Sequence, residues 1–219
     1  MKKDFVVTVI VPVFNQEKFI GRCLRSLLAQ DFKKEEFEII VVNDGSKDKT
    51  SYALKMFKED ITILTNKTNK GLPFCLNKAI KKSRSRYIVR VDADDYVNEN
   101  FLKFLVLYLE LNNNLDAIAC DYYTVDNDEN VIKQKNCLKD PIACGILFRT
   151  EQIVDIGLYD EQFLLHEEKD LRIRFLKKYN IERVKLPLYR YRLHENNNTK
   201  NKKKMRHHFQ KLKKKHKIK

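Results

Sequence analysis

The chain has 219 residues, of which 43% are hydrophobic and 11% aromatic, and this predicts one domain with a substantial core. Five scattered cysteines without a C-x-x-C pair argue against a disulfide scaffold and favour a reduced, cytoplasmic protein with buried thiols. No apolar run approaches the roughly 18 residues of a membrane-spanning helix, and the run Phe5–Phe14 lacks the cleavage site of a signal peptide.

The formal net charge of +14 is concentrated at the C-terminus. Lys200–Lys219 contains 11 lysines and arginines and no acid, which leaves a charge of only about +3 on the rest of the chain. The composition is that of a solvated polybasic tail with some helix. Two interpretations stay open: a disordered solubilising tail, or peripheral contact with an anionic membrane at its inner face.

The first half of the chain alternates strands and helices. Runs of β-branched residues predict four strands, at 6–13, 37–42, 61–64 and 87–91. Apolar residues at helical spacing predict four helices, at 17–30, 48–57, 72–82 and 98–111. This alternation is typical of an α/β fold with a mostly parallel sheet flanked by helices. We therefore expect residues 1–115 to form a nucleotide-binding unit.

The rhythm changes after residue 115. Two segments that flank a polar turn, 117–125 and 131–135, predict a hairpin. Further strands are predicted at 145–148 and 181–186, and helices at 150–156 and 168–179. Residues 116–199 are therefore expected to be a mixed acceptor-side half of one domain, 1–199, and the tail follows at 200–219.

Polar stretches follow all four strands of the first half. They are Phe14–Glu17, Asn43–Ser46, Asn69–Gly71 and Asp92–Asp95. The carboxyl ends of parallel strands lie at one edge of a sheet, so these stretches can surround one ligand. The chain has neither a G-x-G-x-x-G sequence nor a P-loop, which disfavours a dinucleotide or P-loop site.

The acidic turn Asp92–Asp95 places three carboxylates at the end of a strand. Closely packed carboxylates repel one another unless a cation or a proton lies between them. A hard divalent ion that also binds substrate phosphates is one explanation. A cap for the helix predicted near Asn98 is the other.

A series of motifs in the same order resembles the family 2 glycosyltransferases of the GT-A fold. They are Val9–Glu17, Val41–Ser46, Asn69–Gly71, Val91–Asp95, Gly157–Glu161 (similar to G-x-F-D-E), Glu167–Arg174 (similar to E-D-x-D-L-x-x-R) and Tyr191–His194 (similar to R-x-H). The resemblance runs from about Val7 to Thr199 and departs from the family pattern at Glu168, where aspartate is usual.

The resemblance implies an inverting transferase with a single GT-A (Rossmann-like) domain. It would move a sugar from a nucleotide-diphosphate donor to a hydroxyl of a glycan or glycolipid, in surface polysaccharide or glycolipid synthesis. A divalent metal, Mn²⁺ or Mg²⁺, would neutralise the leaving diphosphate. A UDP-sugar is favoured because Asp44 could accept a hydrogen bond from N3–H of uracil.

The resemblance also assigns residues to the donor and metal sites. The implied donor-binding residues are Pro12, Phe14, Asn15, Glu17, Asp44, Lys70, Gly71, Asp92, Ala93 and Asp94. The implied metal ligands are Asp94, Asp92 and His194, with Asp94 as the main direct ligand. The alternatives are a turn-forming role for Asp44 and ordinary surface roles for Lys70 and His194.

Three carboxylates compete for the role of general base: Glu167, Glu168 and Asp170. Glu168 occupies the position that the resemblance assigns to the base, and glutamate has a basicity similar to that of aspartate. Acids at a helix N-terminus are favoured by the helix dipole, which could by itself explain all three. Glu167 also leans toward the core face, and Asp170 is spaced to pair with Arg174.

Other functions are less consistent with the sequence. A nucleotidyltransferase should have a glycine-rich loop after the first strand, where this chain has Phe14–Glu17. A nucleic-acid-binding protein is disfavoured because the tail has one aromatic residue, Phe209, and no recognition motif, so we expect no specific nucleic-acid partner. A non-catalytic nucleotide-sugar binder would not need the acidic turn together with Glu168.

Overall fold

A computed structural model describes residues 5–194 and 202–217, with side chains from residue 208 onward in the second range. The described residues contain nine strands: β1 (Val7–Val13), β2 (Phe37–Asn43), β3 (Thr62–Thr65), β4 (Tyr87–Arg90), β5 (Tyr96–Val97), β6 (Ala117–Val125), β7 (Val131–Lys135), β8 (Ile146–Arg149) and β9 (Ile181–Arg192). The same residues contain seven helices: α1 (Ile20–Leu28), α2 (Thr50–Lys55), α3 (Leu72–Lys82), α4 (Phe101–Leu111), α5 (Thr150–Asp155), α6 (Glu167–Phe175) and α7 (Lys202–His216).

These strands form one sheet in the order β3-β2-β1-β4-β8-β6-β9-β5, and β7 pairs with β6. Strand β1 is parallel to β2 and β4, and β2 is parallel to β3. Strand β8 is antiparallel to β4 and β6, whereas β6 is parallel to β9. The predicted α/β class, parallel in the first half and mixed in the second, is confirmed, and the ends of β1 to β4 share one edge.

Helices bury both faces of this sheet. Val9 and Val11 of β1 pack in a cluster with Leu24 of α1 and Leu105 of α4. Ile10, between the two valines, points into a second cluster that includes residues of α3 and α6. This alternation explains why β1 is a continuous apolar run: a central parallel strand is covered on both faces. All five cysteines are buried free thiols, as expected for core residues.

Two elements around the acidic turn differ from the sequence prediction. Residues Tyr96–Val97 form the short strand β5, and α4 begins only at Phe101, without an acidic residue in its first turn. The helix-cap interpretation of the acidic turn is therefore wrong. Strand β9 extends to Arg192 instead of ending at 186, because its register with β6 shifts near Asp121, and a proline (Pro187) is tolerated at such an irregularity.

The basic C-terminal segment includes helix α7, and its described part packs on the domain: Leu212 is 1% exposed. The remaining residues of the predicted tail, Lys200 and Lys219 among them, lie outside the described residues. Within the ranges that the structure covers, no helix has the length and apolar character needed to cross a bilayer.

Candidate active site

Arg90 joins the acidic turn to helix α6. It is the last residue of β4 and its side chain is 9% exposed. Its Nε donates to Asp92 Oδ1 at 2.6 Å, and its Nη1 donates to Glu167 Oε1 at 3.0 Å. The N-terminus of α6, with its three carboxylates, is thereby held against the end of β4. Sequence reasoning gave Arg90 no role, although an arginine that ends a buried strand beside three acids is a usable signal.

Asp94 and His194, two of the predicted metal ligands, meet in the structure. His194 Nε2 lies 2.8 Å from Asp94 Oδ2, and the imidazole stacks on Phe19 with ring centroids 5.2 Å apart. The side chain of His194 is only 6% exposed, so it is not an ordinary surface histidine. Burial and the charge of Asp92 raise the pKa of Asp94, and His194 opposes this shift.

Asp92, the third predicted ligand, is turned toward Arg90. Both of its carboxylate oxygens accept hydrogen bonds from that guanidinium, at 2.6 and 3.1 Å. Potential ligand atoms of Asp92, Asp95 and Cys144 also lie within 4.8 Å of one another. Burial, reinforced by the charges of the two aspartates, raises the pKa of the Cys144 thiol well above its ordinary value, and a protonated thiol is a poor ligand for a hard cation.

Asp95 and Arg192 fix the shape of the turn; the sequence places them in the acidic turn and in the motif similar to R-x-H, without an individual site role. Asp95 is 2% exposed and accepts hydrogen bonds from the Tyr189 hydroxyl and from the Arg192 backbone N–H, both at 2.7 Å. Arg192 Nε donates to the Asp94 carbonyl at 2.9 Å. Asp95 is engaged in these hydrogen bonds and is therefore less available to an ion. Asp94 with His194 is thus a better candidate to hold Mg²⁺ or Mn²⁺ than the group Asp92, Asp95 and Cys144.

Asp44 holds the loop that follows β3 at the same edge of the sheet. It is 4% exposed; its Oδ1 accepts from Asn66 Nδ2 and the Lys70 N–H, and its Oδ2 from the Gly71 N–H, all at 2.8 Å. Gly71 has φ 93°, a left-handed conformation that strains any residue with a Cβ, and a Cβ there would also displace the Leu164 side chain, whose Cδ2 would lie 2.6 Å away. Asp44 therefore holds the loop 66–71, and its contact with uracil stays a prediction.

The remaining donor-site residues lie along the same edge. Asn15 Oδ1 accepts from the Lys47 N–H at 2.8 Å, and Glu17 Oε2 from the Lys49 N–H at 2.6 Å, so the loops after β1 and β2 are joined. Phe14 is 43% exposed at the end of β1. Of the others, Pro12 is half-buried, Ala93 is buried and the Lys70 side chain is exposed. Their contacts with a donor stay predictions.

The three candidate bases on α6 have different surroundings. Glu167 is 5% exposed and pairs with Arg90; burial raises its pKa to about 7, and Arg90 opposes that shift. Asp170 is 0% exposed and accepts from Arg174 Nε at 2.8 Å, the pairing that the spacing predicted. The Glu168 side chain is 31% exposed, with His166 Nδ1 4.0 Å away. Of the three carboxylates, Glu168 is therefore the one that a substrate can reach.

Comparison with known proteins finds glycosyltransferases. The chain is 37% identical over 106 residues to the poly(ribitol-phosphate) beta-N-acetylglucosaminyltransferase TarS of Staphylococcus aureus, covering 47% of this chain and 18% of TarS. It is 30% identical over 190 residues to an uncharacterized glycosyltransferase of Rickettsia typhi, covering 78% of this chain and 59% of that protein. The chain thus spans only part of the length of these relatives.

The fold also has a close match among solved structures. The crystal structure of residues 1–349 of S. aureus TarS in complex with UDP-GlcNAc aligns with a TM-score of 0.78 and 24% identity, over 89% of this chain and 60% of that one. This likeness confirms the predicted GT-A fold. The sequence profile of glycosyl transferase family 2 matches residues 8–217. The match covers nearly the whole chain, which therefore belongs to glycosyl transferase family 2.

Proposed function

We propose that this protein is an inverting glycosyltransferase that moves a sugar from a UDP-sugar to an acceptor hydroxyl. The observation that carries the proposal is the Arg90 bridge, which holds the acidic turn through Asp92 and the start of α6 through Glu167. Arg90 thereby links the acidic turn, which could hold the donor diphosphate, to the first turn of α6, which carries carboxylates that could accept a proton. Both are needed for direct displacement at a sugar carbon.

The donor is assigned to the edge formed by the ends of β1 to β4. The exposed Phe14 ring and the loop held by Asp44 would flank the nucleotide. UDP is the favoured nucleotide, and the TarS structure with UDP-GlcNAc supports this choice. Asp94 and His194 would hold a divalent ion, whose positive charge would stabilise the leaving diphosphate.

Glu168 is the proposed general base. Its exposure lets an acceptor hydroxyl approach the carboxylate, whereas Glu167 and Asp170 are buried in ion pairs. A hydroxyl that transfers its proton to Glu168 as it attacks the anomeric carbon needs no covalent sugar–enzyme intermediate. One displacement of this kind inverts the anomeric centre.

The acceptor is proposed to be a hydroxyl of a surface polysaccharide or glycolipid. The name of the relative TarS gives poly(ribitol-phosphate), a polymer that carries hydroxyl groups, as the molecule it acts on. Contact of the basic segment with an anionic membrane stays a separate prediction, which binding to anionic vesicles would test.

The proposal is tested by measuring nucleotide release from a panel of UDP- and GDP-sugars, with Mn²⁺ or Mg²⁺ and with a chelator. We expect UDP release from at least one UDP-sugar and its loss in the chelator. Release of pyrophosphate from UTP and a sugar phosphate would instead indicate a nucleotidyltransferase. Binding of UDP-sugars with no turnover under any acceptor condition would favour a non-catalytic binder.

A further inference from the structure

Helix α7 packs against the N-terminal end of α6, next to the proposed base. Leu212 is 1% exposed, and the ring of Phe209 lies 5.8 Å from that of His166 in an edge-on contact. Lys169 Nζ lies 5.5 Å from the centroid of the same Phe209 ring. Helix α7 therefore contacts residues before and after Glu168 in the chain.

Ion pairs at the end of α7 fasten this contact. Lys215 Nζ lies 2.8 Å from Asp160 Oδ2 and 2.6 Å from Asp170 Oδ1, and His216 Nε2 lies 2.8 Å from the same Asp170 oxygen. Arg174 binds the other oxygen of Asp170 at 2.8 Å. The side chain of Asp170 is 0% exposed and that of His216 is 4% exposed, whereas Lys215 is 35% exposed. A carboxylate buried this completely requires its partners.

The start of α6 has acidic residues in its first turn but no side-chain cap. Its N-cap residue, His166, has φ 63° and ψ 22°, in the left-handed region that non-glycine residues rarely adopt, and makes no side-chain capping hydrogen bond. The orientation of this turn is therefore set by tertiary contacts: the Arg90–Glu167 pair on one side and α7 on the other.

We infer that α7 positions the catalytic end of α6, and that Lys215 and His216 are positioning residues for Glu168. They hold Asp170, two residues after the base, and Lys215 also holds Asp160 of the segment Gly157–Glu161. The inference rests on the proposed role of Glu168. It assigns the C-terminal basic segment a part in turnover that is independent of any membrane.

The test compares two double variants of the full-length chain. Lys215→Ala/His216→Ala removes the ion pair and the hydrogen bond to Asp170, and Lys211→Ala/Lys214→Ala removes two exposed charges from the same helix. Small displacements of a catalytic group reduce turnover strongly, so the first variant should lose about tenfold to a hundredfold in kcat. Its donor KM and UDP affinity should stay within about twofold, because the donor edge is built by other elements. The second variant should match the wild type.

A conservative variant and hydrogen exchange complete the test. Lys215→Arg/His216→Gln keeps a cation and a side-chain N–H donor, and should restore most of kcat. Backbone amides of α6 should exchange faster in Lys215→Ala/His216→Ala but not in Lys211→Ala/Lys214→Ala.

Three results would overturn the inference: an unchanged kcat in Lys215→Ala/His216→Ala, equal losses of kcat and UDP affinity, or equal losses in both alanine variants. If the wild-type chain transfers no sugar at all, the proposed function fails. The exchange of the α6 amides then still decides whether α7 holds α6.

Discussion

Replacing Glu168 by glutamine removes the proposed proton acceptor while changing the shape of the side chain very little. A general base typically contributes about 10²–10⁴-fold to rate, and each tenfold corresponds to about 1.36 kcal/mol. The expected loss of transition-state stabilisation is therefore about 2.7–5.4 kcal/mol. The Glu168 side chain is 31% exposed and its contact with His166 Nδ1 is long, at 4.0 Å, so its loss should cost about 1 kcal/mol or less in folding. Turnover should thus fall far more than stability.

The assay measures kcat for UDP release with acceptor, UDP affinity by calorimetry and the urea midpoint for the same preparation of Glu168→Gln. We expect at least about a hundredfold loss in kcat, with UDP affinity and the urea midpoint nearly unchanged. Glu167→Gln is the matched control; it alters a buried pair with Arg90 and should shift the urea midpoint without a selective loss of kcat. If Glu167→Gln or Asp170→Asn shows the selective loss of kcat while Glu168→Gln stays active, the assignment of the base is wrong.

Three further predictions follow from buried charges. Arg90→Ala leaves Asp92 and Glu167 without their partner and should lower the free energy of unfolding in urea by about 3–5 kcal/mol. The control is Arg86→Ala, whose side chain is 63% exposed and which should lower it by about 1 kcal/mol or less. Equal effects of the two substitutions would contradict this prediction. Asp44→Asn replaces one of the two carboxylate oxygens that accept hydrogen bonds from the loop 66–71, and should raise donor KM and speed the amide exchange of this loop; unchanged exchange would contradict it. Burial raises the pKa of Glu167 from 4.5 to about 7, so between these pH values the folded protein binds a proton that the unfolded chain has released. The free energy of unfolding should therefore fall as the pH rises from about 4.5 to 7, and then level off. In Glu167→Gln this dependence should disappear from urea titrations over that range, and an unchanged slope would refute it.

Much of the fold could be predicted because local signals agree with the tertiary structure. The β-branched runs of β1 to β4 and the apolar helices between them predict a parallel sheet, and its strand-end loops do converge on one edge. The pairing of Asp94 with His194, 100 residues apart, came from the family resemblance and not from spacing. Strand β9 was predicted too short because Pro187 normally ends a strand, and only the irregular register with β6 accommodates it.

The contacts that set the electrostatics of the site could not be predicted from local pattern. The bridge of Arg90 to Glu167 joins residues 77 positions apart, and a sequence shows neither the distance nor the burial. The docking of α7 was missed for a related reason. A segment with 11 cations and no acid has the composition of a solvated tail, and its acidic partner Asp170 lies 46 residues before His216.

The central claim is that the acidic turn and His194 form a metal-dependent site for a nucleotide diphosphate. Calorimetric titration of UDP into the wild type with Mn²⁺, into the wild type with a chelator, and into Asp94→Asn with Mn²⁺ tests it most directly. We expect clear binding in the first titration and a large loss of affinity in the other two, because Asp94, which lies 2.8 Å from His194, is the proposed carboxylate ligand of the ion. Equal UDP affinity in all three titrations would contradict it.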